Sequence, residues 1–255
     1  MHRFHLPPDQ CEDSTLRLTG REAHHALHVL RLRRGDCVVV LDGAGHEFQC
    51  EVRDCDRSAA QLGVVRKNFT PPLPYQITLL QAIPKGKLIE SIIEKATELG
   101  AFRVVPILSE RVTTQLGDGT TPQKIEKWRT VASEAIKQCG SPWLPQIETP
   151  LSLKQFLARK EKFELPLVAS LQGDRCHPRE YFREFHGKHG RRPATICVWV
   201  GPEGDFTPTE LDAIKAGGAL PMTLGPLVLR SETAAIYCLS VLNCELQAPG
   251  GGILS

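Results

Sequence analysis

The sequence predicts an α/β protein in which a small β-rich domain precedes a larger domain with a parallel sheet. Strand-like and helix-like segments alternate after residue 74, which is the pattern of a parallel sheet covered by helices on both faces. The segments before residue 70 are short and strand-like, and a proline-rich stretch stiffens the connection between the two parts. We therefore expect domains at 1–69 and 75–248 with a linker at 70–74.

The composition is that of a globular chain with enough apolar material for two cores. Of its 255 residues, 41% are hydrophobic and 24% are charged, and the net charge is only +2. Any nucleic-acid binding must therefore come from local basic clusters. The nine cysteines form no Cys-x-x-Cys pair, which indicates reduced thiols in the cytoplasm and neither a disulfide framework nor a zinc site. We expect no signal peptide and no membrane span.

The first domain is expected to contain one helix among several strands. Thr19 is a candidate cap for this helix, with Glu22 at the reciprocal position, and Gly35 lies near its expected end. The expected strands cover 3–6, 37–41, 47–52 and 61–65.

Two groups of side chains in this domain have more than one interpretation. A basic cluster near the helix end suits RNA contact, although a solvated helix end is the alternative. Three histidines on the helix invite a metal site, but no HExxH arrangement or further ligand accompanies them, so surface or packing roles are favoured and no metal is predicted. The basic residues are Arg31, Arg33 and Arg34, and the histidines are His24, His25 and His28.

The second domain begins with a strand at 75–82, a helix at 85–99 and a strand at 103–108. Lys85 and Lys87 fall at the start of this helix, where cations are unfavourable, and this favours an RNA-phosphate role over a solvated turn. A helix is expected at 122–139 and a strand at 165–171. The segment 175–192 is rich in Arg, Lys and His, and we expect a solvated, mobile surface segment, with RNA contact as the alternative.

The stretch from 195 to 247 repeats the order strand, glycine turn, helix. The strand at 195–200 ends in Gly201-Pro202-Glu203-Gly204, and a helix with a Thr207 cap follows. A second short strand, at 221–224, ends in Gly225-Pro226, and the last helix covers about 232–247. Glycine allows close approach of the backbone to a ligand, and open α/β sheets bind ligands at the carboxyl ends of their strands. Gly-Pro pairs are also ordinary turns, but two of them at consecutive strand ends favour a binding site.

This stretch resembles the knotted SPOUT methyltransferases, and specifically the RsmE family, which methylates N3 of a uridine in 16S ribosomal RNA. The resemblance lies in the Gly-Pro-Glu-Gly turn, in Leu224-Gly225-Pro226 and in 229–234, with further matches at 85–87, 95–100 and 109–111. It implies a PUA-like barrel before a trefoil-knotted domain, S-adenosylmethionine as cofactor, a homodimer whose site is completed by the second subunit, and 16S rRNA in the assembled small ribosomal subunit as partner.

The resemblance also implies roles for individual residues. Cofactor binding is implied for Leu171, Gly173, Val200, Gly201, Gly204, Leu224, Gly225, Leu229 and Thr233. RNA binding is implied for Arg3, Arg31, Arg33, Arg34, Lys85, Lys87 and Arg111. The chain departs from the family pattern at Lys137, which is not followed by the usual arginine, and at Leu227; both departures concern the RNA-binding face.

The implied reaction requires the loss of a proton from N3, because a uracil imide is a poor nucleophile until it is deprotonated. Arg230 is the candidate for stabilising the developing imidate, and a salt bridge to Glu203 or Glu232 is its alternative role. Glu232 or Glu203 is the candidate proton acceptor, although Glu232 also suits a helix N-terminus.

Two other classes of function are alternatives to this one. A non-catalytic RNA-binding protein with a degenerate fold, or a related methyltransferase acting on another base, remains an alternative. A nucleotide-dependent oxidoreductase or phosphotransferase is disfavoured, because the chain has neither G-x-G-x-x-G nor G-x-x-x-x-G-K-[ST].

Overall fold

The computed structural model describes residues 1–12, 14–86, 88–111, 122–172 and 175–247. The chain divides into two compact units, which we call the first unit (Met1–Pro72 with Ser133–Leu144) and the second unit (Leu73–Ala132 with Pro145–Ser255). The first break therefore falls inside the predicted linker. The return of 133–144 to the first unit has no counterpart in the division expected from the sequence.

The first unit contains a five-stranded sheet with the order β1-β3-β4-β5-β2. Strands β1 and β3 are parallel, and the other neighbours are antiparallel. Register shifts between β4 and β5, at Gln49/Cys50 and Val52/Asp54, bend these long strands and curl the sheet around an apolar core. The strands are β1 (His2–His5), β2 (Thr15–Leu18), β3 (Cys37–Leu41), β4 (His46–Cys55) and β5 (Ala60–Phe69). All the expected strands are present, and β2 is an addition that the sequence did not predict.

The helix of the first unit differs from the prediction. Helix α1 (Gly20–His24) continues as a single π-helical segment, His25–Val29, and stops before Arg31, which has a left-handed backbone with φ 56°. The expected capping box is wrong, because the Thr19 side chain accepts no cap hydrogen bond. The Glu22 carboxylate instead accepts the His5 N–H at 3.3 Å and pairs with Lys137 Nζ at 2.7 Å.

The second unit contains the predicted parallel sheet, with the order β12-β10-β11-β6-β7-β8, and a further short strand, β9, that pairs with β7. Every neighbouring pair in it is parallel. The central strands are almost continuously buried, as expected when helices cover a parallel sheet. The strands are β6 (Gln76–Ala82), β7 (Arg103–Leu108), β8 (Gln146–Ile147), β9 (Leu151–Ser152), β10 (Leu165–Ala169), β11 (Thr195–Val200) and β12 (Leu220–Met222).

Six further helices accompany this sheet in the described part of the chain. Helix α6 has the predicted capping box: Thr207 Oγ1 accepts the Glu210 N–H at 3.2 Å, and Glu210 Oε2 accepts the Thr207 N–H at 2.9 Å. Helix α7 contacts α2 and the central strands β6 and β11. The helices are α2 (Leu88–Glu98), α3 (Pro122–Cys139), α4 (Leu153–Ala158), α5 (Pro178–His189), α6 (Pro208–Ala216) and α7 (Ser231–Gln247).

Two predictions for the second unit are corrected. The segment expected to be a solvated, mobile surface contains helix α5, which buries Phe182 and Phe185 and ends at Gly190 in a left-handed cap. Helix α2 begins at Leu88, so Lys85 lies in the turn before the helix and not in its first turn. Lys87 lies outside the described residues. The trefoil knot stays a prediction, since strand pairing does not specify how the chain threads.

Candidate cofactor cleft

A cleft of about 510 Å³ opens at the carboxyl ends of three neighbouring strands in the second unit. Because β12, β10 and β11 are adjacent and parallel, the loops that follow them meet at one edge of the sheet. Seven of the predicted site residues line this cleft: Leu171, Val200, Gly201, Glu203, Leu224, Gly225 and Leu229. Gly204, Arg230, Glu232 and Thr233 lie in the same loops or at the start of α7 but are not among the residues that line it. Gly173 lies outside the described residues.

The two predicted glycine turns differ in why they require glycine. A Cβ at Gly201 would lie 3.0 Å from Asp205 Oδ1 and 3.2 Å from backbone atoms of Asp205 and Phe206. The missing side chain therefore lets the chain fold back closely on itself. Gly225 faces open space but has φ +100°, a conformation that residues with a Cβ rarely adopt.

A buried hydrogen-bonded chain joins three elements beneath the cleft. Gln81 Nε2, at the end of β6, donates to Ser231 Oγ at 2.9 Å, and Ser231 Oγ donates to the Gly201 carbonyl at 2.7 Å. The start of α7 is thereby held against the turn that follows β11. Sequence reasoning missed both side chains, although a glutamine within an otherwise apolar strand was a signal for a buried polar contact.

Asp205 is a further cleft residue that the sequence analysis missed. It has a left-handed backbone with φ 62° and is only 8% exposed. Its carboxylate accepts the N–H of Phe206 at 2.8 Å and the N–H of Leu171 at 3.3 Å. The signal for it was its place directly after the Gly-Pro-Glu-Gly turn, since aspartate tolerates the left-handed region better than most residues.

The loops after β6 and β7 also reach the turn that follows β11. Glu203 Oε1 accepts the Lys85 N–H at 3.1 Å, while the Lys85 side chain is exposed. Arg111 Nη1 lies 3.5 Å from the Asp205 carbonyl, and a Cβ at Gly204 would approach this nitrogen to 2.9 Å. Lys85 and Arg111 therefore lie close to the predicted cofactor turn.

The three predicted catalytic side chains differ from one another in exposure and in their contacts. Arg230 is exposed and forms no ion pair with another described residue, so the alternative salt bridge to Glu203 or Glu232 is not formed. Glu203 is exposed. Glu232 is half-buried, and its Oε2 is a buried oxygen without a hydrogen-bond partner among the described residues. Thr233 is exposed beside them.

The candidate RNA-binding residues of the first unit fall into two groups. Arg31, Arg33 and Arg34 are all exposed and lie together between α1 and β3. Arg3 is half-buried, and its Nη1 donates to the carbonyls of Lys137 and Gln138, both at 3.3 Å. Those carbonyls belong to the last turn of α3, where helices leave acceptors unpaired, so Arg3 has a structural role there.

The departures from the family pattern also have structural settings. Lys137 Nζ is buried and pairs with Glu22 at 2.7 Å and Glu134 at 2.8 Å, which accounts for a lysine at this position within the first unit. Leu227 is 72% exposed and Val228 is 74% exposed, so the loop beside the cleft presents apolar side chains to solvent.

Two of the predicted helix histidines contact each other, and two of the buried cysteines are unreactive thiols. His24 and His28 stack with ring centroids 5.0 Å apart, and no group of three or more His, Cys, Asp or Glu in the described residues could hold a metal ion. Burial raises the pKa of the Cys197 and Cys238 thiols to about 12, so both stay protonated and pack as small apolar groups. None of the helices in the described ranges has the length and apolar character needed to cross a bilayer.

Known proteins share both parts of this architecture. A family model described as an RNA methyltransferase domain matches residues 71–243, and one described as an RNA methyltransferase PUA domain matches residues 18–65. Ribosomal RNA small subunit methyltransferase E of Synechocystis is 34% identical over 97% of this chain and 78% of its own length. The protein of the same name from Bacillus subtilis is 29% identical over 95% of each chain.

Two solved structures contain a bound cofactor. A Legionella pneumophila protein in complex with S-adenosylmethionine superposes with a TM-score of 0.85 at 29% identity, covering 95% of this chain and 96% of that one. Ribosomal RNA small subunit methyltransferase E of Neisseria gonorrhoeae, bound to S-adenosylmethionine, gives a TM-score of 0.81 at 25% identity over 96% and 97% of the two chains.

Proposed function

The chain belongs to the ribosomal RNA small subunit methyltransferase E family of RNA methyltransferases, and on that premise we propose that it transfers a methyl group from S-adenosylmethionine to N3 of a uridine in 16S rRNA. It is an S-adenosylmethionine-dependent rRNA methyltransferase with a PUA-like domain. The observation that carries the proposal is the cleft formed by two glycine turns at the ends of β11 and β12, the parallel strands on either side of β10.

The residues of the cleft suit this cofactor. Gly201 and Gly225 leave backbone groups open to a ligand, and Val200, Leu224 and Leu229 supply apolar walls. Glu203 and Asp205 place two carboxylates in the lining against one cation, Arg175, which favours a positively charged ligand. When bound, S-adenosylmethionine supplies a methyl group that is already activated by the positive charge on sulfur.

The protein's own part of the reaction is to move one proton and stabilise one charge. Glu232 is the proposed acceptor of the N3 proton, supported by its Oε2, which accepts no hydrogen bond from the described residues, with the exposed Glu203 as the alternative. Arg230 is proposed to donate hydrogen bonds to the uracil carbonyl oxygen as negative charge develops on the ring, supported by the exposure of its guanidinium group.

We propose that the two units divide the work. The exposed Arg31, Arg33 and Arg34 contact RNA phosphates from the first unit, while Lys85 and Arg111 do so beside the cofactor turn. The same role is proposed for Lys87, which lies outside the described residues. The 16S rRNA is met in the assembled small subunit, in the cytoplasm. A homodimer is supported by α7, which leaves Tyr237 39% exposed beside the partly exposed Ile236 and Val241.

The test is methylation of small ribosomal subunits from a strain that lacks the gene for this protein. Incubation with the protein and labelled S-adenosylmethionine is expected to produce N3-methyluridine at one position of 16S rRNA, mapped by nuclease digestion and mass spectrometry. Label on a different base would replace the assignment of N3. An absence of label on both subunits and free rRNA, with the cofactor bound, would favour a non-catalytic RNA-binding protein.

A further inference from the structure

Asp205 lies in the cleft and combines two features that an ordinary turn residue lacks: a left-handed backbone and a buried carboxylate. A left-handed backbone at a non-glycine residue costs free energy, and here φ is 62°. Its N–H donates to the Pro202 carbonyl at 2.9 Å, which closes the turn on the backbone alone. Glycine would satisfy both the conformation and this hydrogen bond, so the carboxylate must be explained separately.

The carboxylate connects two loops that follow neighbouring strands. Its Oδ1 accepts the N–H of Phe206 at 2.8 Å within its own loop, and its Oδ2 accepts the N–H of Leu171 at 3.3 Å from the loop after β10. Gly201 lets the carboxylate sit this deeply, because a Cβ there would lie 3.0 Å from Oδ1. One side chain thereby bridges two walls of the cleft.

The Leu171 loop is joined to β12 and the residue after it by backbone hydrogen bonds: the Ser170 N–H donates to the Met222 carbonyl at 3.2 Å, and the Thr223 N–H donates to the Cys176 carbonyl at 3.0 Å. Leu171 itself is 46% exposed, and within its own loop Ser170 Oγ accepts the Gln172 N–H at 3.0 Å and donates to the Gln172 carbonyl at 3.0 Å. Arg175 Nη1 donates to the Ser170 carbonyl at 3.0 Å, again inside the same loop. Among the described residues, the contact with Asp205 is the side-chain hydrogen bond that joins this loop to the one after β11.

We propose that Asp205 is a positioning residue that clamps the loop after β10 in the conformation that binds S-adenosylmethionine. The proposal rests on the function proposed above, because it assumes that this cofactor occupies the cleft. A loop that is already held in its bound conformation binds without the entropy cost of ordering, so the clamp acts on cofactor affinity and not on the methyl transfer itself. Hydrogen bonds to a charged acceptor are among the stronger ones in proteins, which makes one carboxylate sufficient for this task.

The test is Asp205→Gly, which keeps the left-handed backbone and removes the carboxylate. We expect its dissociation constant for S-adenosylmethionine, measured by calorimetry, to rise about tenfold to a hundredfold, the effect of losing a hydrogen bond to a charged group. The KM for the cofactor should rise similarly while kcat at saturating cofactor stays near the wild-type value. The melting temperature should change little, because glycine relieves the backbone strain.

Lys160→Gly is the matched control, since Lys160 has the same left-handed conformation, with φ 50°, and does not line the cleft. It should leave cofactor affinity unchanged. Asp205→Asn keeps one acceptor oxygen and should fall between the wild type and the glycine variant. If the wild-type chain binds the cofactor and Asp205→Gly binds it equally well, the clamp is refuted and the proposed function stands. If the wild-type chain itself does not bind the cofactor, the proposed function fails first.

Discussion

Arg230 is the residue whose proposed role can be separated most clearly from a structural one. It lies directly before α7 and forms no ion pair with another described residue, so replacing its side chain breaks no ion pair among them. A side chain of this kind affects the reaction only through what binds beside it.

We expect Arg230→Lys to lower kcat on small ribosomal subunits by about tenfold to a thousandfold, the usual range for losing an oriented donor to a developing negative charge. Lysine keeps the positive charge but loses the planar fork of donors. Calorimetric affinity for S-adenosylmethionine and the melting temperature should stay near the wild-type values. Arg183→Lys, at an exposed position on α5, is the control. A normal kcat would exclude Arg230 from the mechanism and leave Glu203 and Glu232 as the residues to test.

The two glycine turns are the elements that the sequence predicted best. Glycines at consecutive strand ends were visible as a pattern, and the structure brings both turns to one cleft. Residues that act through buried contacts left a weaker signal: Ser231 and Gln81 meet only because β6, β11 and α7 converge, and no local pattern encodes that pairing. Asp205 is similar, since its partner Leu171 belongs to a different loop.

Gly225→Val is expected to abolish detectable binding of S-adenosylmethionine while the protein stays folded. Valine disfavours the φ of +100° at this position, so the turn must change its shape. Gly218→Val is the matched control, because Gly218 has φ +98° and equally open surroundings but lies outside the cleft. Equal melting temperatures with unequal affinities would support the assignment, and undiminished binding by Gly225→Val would contradict it.

We expect Gly201→Val to lose binding of S-adenosylmethionine too, with a larger loss of stability, since its Cβ would meet backbone atoms at 3.2 Å.

Helix α6 shows where local signals predicted an element correctly, and α5 shows where they did not. The capping residues of α6 are contiguous in sequence and form as expected. In α5 the abundance of basic residues hid the spacing of Phe182 and Phe185, which lie three apart and face the core together. In α1 the prediction of a capping box was wrong for the opposite reason. The capping pattern is present in the sequence, but the Glu22 carboxylate pairs with Lys137 instead.

Replacement of Glu210 by alanine should lower the free energy of unfolding of the second unit by more than the removal of an exposed capping side chain would. The buried Glu210 carboxylate accepts the N–H of Thr207 at 2.9 Å and that of Glu110 at 2.8 Å, so its removal leaves two donors to be satisfied. We expect the free energy of unfolding to fall by about 1–3 kcal/mol in urea denaturation. Asp212→Ala, at an exposed position on the same helix, should change it by less than about 0.5 kcal/mol. Equal effects of the two substitutions would contradict the role given to Glu210.

At the scale of the whole molecule, the sequence predicted two parts and their classes of fold, but not how the chain is shared between them. The proline-rich stretch marked the end of the first segment of the first unit, at Pro72. The return of Ser133–Leu144 to the first unit left no such mark, because the change falls inside the continuous helix α3. Ile136 and Leu144 pack with Val39 and Leu41 there, and helical periodicity alone does not say which apolar neighbours a helix will meet.

A fragment of residues 70–255 is expected to bind S-adenosylmethionine and to methylate small subunits poorly, because it keeps the cleft and lacks the basic cluster of the first unit. Its melting temperature should be lower than that of the full chain, since Ile136 and Leu144 lose the apolar partners described above. Calorimetry and the subunit assay are the measurements, with the full chain as control. Full methylation by the fragment would contradict the proposed division of work.

Because Ser133–Leu144 belongs to the first unit, that unit cannot complete its packing as soon as its N-terminal segment has been synthesised. The strands of the curled sheet leave the ribosome early. The small apolar cluster that contains Val39 and Leu41 is incomplete until Ile136 and Leu144 have been synthesised. At about 5–20 residues per second, the intervening segment takes several seconds to synthesise. During that interval Lys137 is also missing, and Glu22 has no cation to pair with. The nascent first unit therefore reaches its final packing only after residues 73–132 of the second unit have been synthesised, so that the folding of the two units is linked in time although each has its own core.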